Sequence, residues 1–414
     1  CSRRNWQRPV CGGGMKSILL VGGGLLHVTT VQNARDMGLR VVVTDKSPDC
    51  ACAKLADEFY AVDTRDKDGH VRLARSLLGG ISPLAGVFTA GHSVEETTAA
   101  AANAVGLPAI PNEVAHRIAN KAEMRKYLEQ AGIDDIDWYC FLEYPDPAEI
   151  DFPCVVKATD SSGSRGLTKC YQPEDFTEEV FRRAQENSSD GRVLVEELLE
   201  PIENEIAEQS VETVWYEGKG FFLNWVDRPF TNDKKYAIEI GHYNPAMHSA
   251  KTQQEVERLV LAAGKALGMT TGIFKADVML TKQGARILET TARLSGGFDS
   301  THTSPLAHGV NYIRGAMKLA LGEPIGWNDF LPRQYRHAVA ISMFPEVGRI
   351  RGIQGLEKAR EIVDHIFVRE SGEIRDYTDC AARPLFIIAS SDSRQHALDR
   401  AEMARQLIRF EYAN

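Results

Sequence analysis

The sequence predicts a mixed α/β and α+β chain in three parts: a parallel α/β domain over residues 15–110, a larger α+β domain over 151–330, and a small C-terminal α+β domain over 331–414, with a linker helix region at 111–150. Three observations predict it. Strand and helix patterns alternate from 17 to 105, as in a parallel sheet covered by helices on both faces. Hairpin signals dominate the middle. Two strand patterns and an amphipathic helix close the chain. The 414 residues exceed the roughly 250–300 at which a single core stops growing, so more than one domain is required.

In order, strand patterns fall at 18–22, 40–45, 59–62 and 85–90, and helix patterns at 27–37, 71–78 and 94–105. Gly106-Leu-Pro-Ala-Ile-Pro111 punctuates the chain. The stretch 112–131 then reads as helical, with Asn120 suited to cap a segment starting at Lys121. Apolar strands follow at 152–158 and 192–199, a hairpin at 274–293, strands at 337–343 and 385–389, and a helix at 395–410.

Residues 1–14 differ in kind: Cys1 and Cys11 bracket a basic nonapeptide, and Gly12-Gly-Gly14 leads to Met15. They read as an appended peptide and linker and are set aside. The whole chain has 48 basic and 57 acidic residues; without Arg3, Arg4 and Arg8, 45 against 57 leave a charge of −12. Such an acidic domain is a poor general binder of nucleic acid or anionic lipid. The longest apolar runs, 18–21 and 99–102, fall far short of the ~18–20 residues that span a bilayer. Six further cysteines show no zinc spacing, so they read as buried or incidental thiols of a reducing cytoplasm.

Gly22-Gly-Gly24 after the first strand, with Asp45 ending the second, imitates a dinucleotide fingerprint, but His27 stands where the third glycine is needed. The same turn occurs in Rossmann-like domains that merely seat a substrate.

The strongest constellation lies in the hairpin. With the turn Thr281-Lys-Gln-Gly284 centred on Gln283, Asp277 faces Glu289, and period 2 puts Glu289, Thr291 and Arg293 on one face. Facing carboxylates repel, so a cation belongs between them, and Mg²⁺ held by one or two carboxylates plus phosphates is the natural candidate. The plainer alternatives are a shifted register or pairing with Arg286 or Lys282. Arg293 beside Ser295-Gly296-Gly297 suits an anionic transition state. Lys157 near the end of an apolar strand needs an anionic partner if it faces inward. The loop Ser161-Ser-Gly163-Ser-Arg165-Gly166 supplies backbone N–H groups for phosphate oxygens. Glu196 and Glu197 end the next strand, and Glu200, Glu203, Glu205, Glu208 and Glu212 follow.

In this order and spacing the motifs resemble an ATP-grasp enzyme of the carboxylate-amine (L-amino acid) ligase kind, over essentially all of 15–414. The matching pieces are Asn120-Lys121-Ala-Glu-Met-Arg125, Val-Val-Lys157 with its Ser/Gly loop, Val-Glu196-Glu197-Leu-Leu199, Ser210-Val-Glu212, Gly241-His242-Tyr-Asn244-Pro, and 277–297. The resemblance implies a Rossmann-like front domain followed by an ATP-grasp domain with a lid subdomain over about 152–212. It puts Lys121 and Lys157 on the ATP phosphates, Ser162, Gly163, Ser164, Arg165 and Gly166 in a lid, and Glu196, Glu197 and Leu199 at the adenine hinge. Glu208 binds ribose, with Glu205 competing; Asp277 and Glu289 hold Mg²⁺ or Mn²⁺; Arg293 is catalytic. Thr291 stands where the family generally has Asn. Arg228, His242, Asn244, Ser295, Gly296 and Gly297 are substrate candidates, and a homodimer is an assembly this fold often adopts.

The expected reaction is phosphorylation of a small carboxylate by ATP, then attack by an amine, probed against three rivals. A biotin-carboxylase-like or purine-pathway carboxylase shows bicarbonate-dependent ATP turnover. A nicotinamide-dependent oxidoreductase shows no ATP dependence. A regulator binds ATP without hydrolysis, which the retained Asp277, Glu289 and Arg293 oppose.

Overall fold

The computed structural model describes residues 15–369 and 372–413; the peptide and linker read at 1–14 lie outside the described residues. The front sheet is four-stranded and wholly parallel, in the order Glu58–Ala61, Arg40–Asp45, Ser17–Val21, Leu84–Phe88. Its strands are apolar on both sides because both faces are covered. Leu19 and Val21 pack on Leu73, Leu77 and Ala102 of the helices Lys67–Leu78 and Glu95–Asn103. Ile18 and Leu20 pack on Val31 and Ala34, and also on Tyr312, Ile313 and Ala316 of a helix from far down the chain, Tyr312–Ala320. That borrowed helix ties the front domain to the rest.

The helical stretch after Pro111 is two helices, Asn112–Ala119 and Lys121–Gln130. Asn120 breaks them: its extended backbone ends one, and its Oδ1 accepts from the N–H of Ala122 and Glu123 to start the next. A small antiparallel sheet follows, ordered Trp138–Phe141, Val193–Glu197, Cys154–Ala158, Thr168–Cys170. This small sheet, in the region read as a lid, takes its edge strand Trp138–Phe141 from the stretch read as a linker.

The remaining strands form one eight-stranded antiparallel sheet, ordered Gly284–Thr291, Gly272–Thr281, Glu208–Tyr216, Lys219–Asp227, Gly241–Asn244, His337–Ser342, Leu385–Ser391, His365–Val368. The strands read as a separate C-terminal domain extend this sheet through the pairing of Gly241–Asn244 with His337–Ser342. A three-stranded ribbon, Glu373–Ile374, Gly348–Gln354 and Arg409–Tyr412, completes the C-terminal part. Among the described residues no helix is long and apolar enough to cross a membrane.

Candidate active site

The hairpin Gly272–Thr281/Gly284–Thr291 is closed by a two-residue loop, Lys282-Gln283, which sets a register of Thr281 to Gly284 and Val278 to Ile287. Carried on unchanged, that register would set Leu288 opposite Asp277. An irregularity at Asp277/Val278 leaves Leu288 as an extra residue, and Asp277 faces Glu289. Directly opposed side chains share a face of the sheet, and both acids line a cleft of about 940 Å³ between the large sheet and the lid sheet.

Cations surround the pair. Lys275, two residues before Asp277 and so on its face, places Nζ 2.5 Å from Asp277 Oδ1, while Arg228 Nη1 lies 2.8 Å from Oδ2. Lys121 Nζ lies 3.1 Å from Glu289 Oε2 and donates to the carbonyl of Ser161 at 2.7 Å. Burial pushes the Glu289 carboxyl up, but Lys121 and Lys275 outweigh it and hold the group far below the usual carboxylate range. Two carboxylates facing each other, with removable cations on them, suit a hard divalent ion. Among the described residues no group of three or more His, Cys, Asp or Glu could hold a metal; two carboxylates with phosphate oxygens making up the rest is the usual way magnesium is bound.

The lid side of the cleft brings Lys157 Nζ to 2.5 Å from Glu196 Oε2. Arg125, 1% exposed, donates to Glu196 Oε1 and to Asp134, each at 2.7 Å. Burial raises the Glu196 carboxyl, yet Arg125 and Lys157 prevail and hold it at about 2. This ion network fixes the strand end at Glu197 and Leu199, which line the cleft with Gly163, Ser164 and Arg165. Glu208 lines it too, whereas Glu205 turns outward to His248 at 2.7 Å. Burial raises Glu208 to about 7 against the pull of Arg228.

A second cleft, of about 680 Å³, opens between the front domain and the hairpin; Lys121, Ser161 and Glu289 line both clefts and join them. Ser162 and Thr291 lie on this side, the Thr291 Oγ1 buried without a hydrogen-bond partner. Arg293 donates to Ser93 Oγ and to the carbonyl of Leu294, each at 2.9 Å, and lines neither joined cleft directly. Arg228 lines the first cleft, bound among Glu208, Glu239 and Asp277. Gly166 packs the lid on the helix Glu178–Glu186, where a Cβ would lie 3.1 Å from Ala184 Cα.

The remaining substrate candidates support a loop. His242 Nδ1 sits 3.0 Å from Glu239, and its ring lies where a Cβ on Gly297 would fall. Ser295 N–H donates to Glu212 at 2.6 Å, Gly296 abuts Gly91, and Asn244 is buried in a network with Asn224, Asp299 and Ser304. At the front turn, Gly23 N–H donates to Asp45 at 2.9 Å, and the His27 ring lies 2.8 Å from where a Gly22 Cβ would stand. Lys275 was missed from sequence, although period 2 from Asp277 points to it.

Comparison with known proteins agrees with this fold. Residues 150–302 match the ATP-grasp domain, and residues 340–413 match L-amino acid ligase C-terminal domain 2. A formate-dependent phosphoribosylglycinamide formyltransferase of Bacillus subtilis is 26% identical over 94% of this chain and 97% of its own. The L-amino acid ligase from Bacillus licheniformis superposes with a TM-score of 0.80 at 20% identity, covering 97% of this chain and all of that one. The biotin carboxylase domain dimer of Hydrogenobacter thermophilus 2-oxoglutarate carboxylase, solved with MgADP and bicarbonate, superposes at 0.71 with 17% identity over 96% and 91%. The chain carries an ATP-grasp domain followed by the C-terminal domain of the L-amino acid ligases, the architecture of an ADP-forming ligase that uses ATP and Mg²⁺.

Proposed function

We propose that the chain joins a small carboxylate, an amino acid among them, to an amine through an amide bond, at the expense of ATP. The observation that carries the reading is the facing pair Asp277 and Glu289, ringed by Lys121, Lys275 and Arg228, at the junction of two clefts. Asp277 and Glu289 would hold magnesium, which supplies charge neutralisation on the transferring phosphoryl group. Lys157 and Lys121 bind phosphate oxygens, and Glu197 to Leu199 with Glu208 seat the nucleoside. The loop 161–166 excludes water that would hydrolyse the activated carboxyl. Arg293 steadies the developing charge on the acyl group, and His242, through Gly297, holds the Ser295–Gly297 turn beside it. The free thiols of the described cysteines fit a cytoplasmic setting, and the assembly is a homodimer in this reading.

The similarity to a formate-dependent formyltransferase over nearly the whole chain favours including formate among the acids. The test is a matrix of L-amino acids, formate, bicarbonate and other small carboxylates against amines, with ATP and Mg²⁺, scored for phosphate and for new masses. ADP, phosphate and an amide mass are expected. Production of AMP and pyrophosphate, or turnover with bicarbonate alone, overturns the reading.

A further inference from the structure

The turn that follows Arg293 has a sequence that disfavours it. Gly297 and Phe298 both have positive φ, 64° and 71°, and Asp299 N–H donates to the carbonyl of Gly296 at 3.1 Å. This is the pattern of a type I′ turn, whose central positions suit Gly, Asn or Asp. A phenylalanine there is strained, and such strain persists only where the surroundings over-determine it. The surroundings are aromatic. Phe298, 3% exposed, lies flat on Phe367, with ring centroids 4.1 Å apart and planes at 8°, while Phe386 and His302 meet it edge-on at 5.2 and 5.6 Å. Phe367 and Phe386 stand on the strands His365–Val368 and Leu385–Ser391, at the opposite end of the eight-stranded sheet from the acid-bearing hairpin. Burial and the neighbouring His365 push the His302 imidazole down to about 4, so it adds an uncharged ring to this wall at neutral pH. The other side of the turn faces inward: Ser295 N–H donates to Glu212 at 2.6 Å, Ser295 Oγ lies 3.0 Å from the Oγ of Ser210, which pairs with Asp277 in the sheet, and Gly296 abuts Gly91 of the front domain.

We propose that Phe298 is a positioning residue: its ring, clamped by Phe367 and Phe386 of the C-terminal region, fixes the turn that holds Arg293 and Ser295–Gly297 in place for the reaction. This rests on the ligase reading above. It gives a part in the chemistry to residues 340–413, none of which among the described residues lines either joined cleft. Misplacing a reacting group by about 1 Å costs on the order of 100-fold in rate. With the clamp opened, Arg293 samples more than one position, the activated carboxyl waits longer for the amine, and more of it is lost to water. The nucleotide, seated in the first cleft by Lys157, Glu197 and Leu199, is held as before.

The test compares wild type, Phe298→Gly, Phe367→Ala, the double variant and Phe367→Tyr, with ATP, Mg²⁺ and L-amino acids, alongside hydrogen exchange of the backbone amides in 294–300. Glycine adopts this turn without strain, so Phe298→Gly deletes the ring at no backbone cost. Phe367→Ala opens the clamp and leaves the sequence of the turn untouched. Each single variant is expected to lose about 30-fold in kcat for amide formation with the KM for ATP within about twofold. Each should also release severalfold more phosphate per amide and exchange 294–300 at least about 10-fold faster. Because both substitutions break one contact, the double variant should fall no more than about twofold below either single one. Phe367→Tyr keeps the stacked ring and should recover kcat to within about threefold of wild type. Undiminished kcat in Phe367→Ala, a KM for ATP that rises in step with the loss of kcat, or losses that multiply in the double variant would each overturn the positioning role. Unaltered exchange at 294–300 in Phe367→Ala would sink the clamp whatever the activity. Failure of the ligase reading has a different signature: wild type itself then makes no amide with any donor.

Discussion

Glu289 is held ionised by lysines that do not neutralise it permanently: Lys121 is anchored as well by the carbonyl of Ser161 and by its backbone bond to Thr159. Replacing it with glutamine keeps the shape of the hairpin and removes one of two metal-binding charges. Glu289→Gln should cut turnover by at least about 1,000-fold with an unchanged circular dichroism spectrum; full activity would remove the metal assignment. Glu196 shows what the surrounding ion network contributes to stability. Its carboxyl lies near 2 against an ordinary 4.5, so its stabilisation is complete above pH 4.5 and is lost as pH falls towards 2. The gap in unfolding free energy between wild type and Glu196→Gln, measured by denaturant titration, should reach about 3 kcal/mol at pH 6 and close towards pH 2. A gap independent of pH would show that Glu196 acts by shape alone.

At the scale of elements, the helix break at Asn120 is the clearest case of a motif that also places a site residue. Asn120 caps the helix that begins with Lys121, and its Nδ2 donates to Asp190 of the lid side at 3.0 Å. Asn120→Ala should lower unfolding free energy by about 1 kcal/mol and raise the KM for ATP severalfold, because Lys121 then loses its fixed start; an unchanged KM would separate the cap from the site. Elements of this kind were legible because capping and period-2 patterns are local. Arg40–Asp45 falls on its sequence reading, and Asp277 does face Glu289. The route to that pairing was not legible. A turn centred on Gln283 predicts that opposition directly, whereas the structure reaches it through the two-residue loop Lys282-Gln283 plus an extra residue at Leu288, and bulges leave no local signature. Trp138–Phe141 was missed as a strand of the lid for a related reason: it is short, half-exposed and paired only with the distant Val193–Glu197.

Across the whole molecule, the unreadable part is what crosses domain boundaries. The eight-stranded sheet runs from the acid-bearing hairpin into the C-terminal region, and the 3-10 turn Cys380–Ala382 reaches back to the lid loop. Cys380 N–H donates to the carbonyl of Gly163 at 2.9 Å, and Arg183 donates to the carbonyl of Thr378 at 2.8 Å. These two bonds tie the 161–166 loop and the helix Glu178–Glu186 to the C-terminal region. Arg183→Ala should loosen the lid, admit water, and raise the phosphate released per amide formed severalfold; unchanged coupling would mean that the lid closes without this support. Glu95 and Arg293 likewise meet only because the front domain docks on the hairpin, through the helix Tyr312–Ala320 and the loop at Gly91.

The central claim is that Asp277 and Glu289 share a divalent ion with the phosphates of ATP. Anomalous diffraction from crystals grown with Mn²⁺ and a non-hydrolysable ATP analogue tests it most directly. A manganese peak at roughly 2.0–2.3 Å from oxygens of both residues, with Lys275 and Arg228 turned from Asp277 towards phosphate, is the predicted result. Bound nucleotide with the manganese elsewhere, and both acids still paired to their cations, would contradict the account.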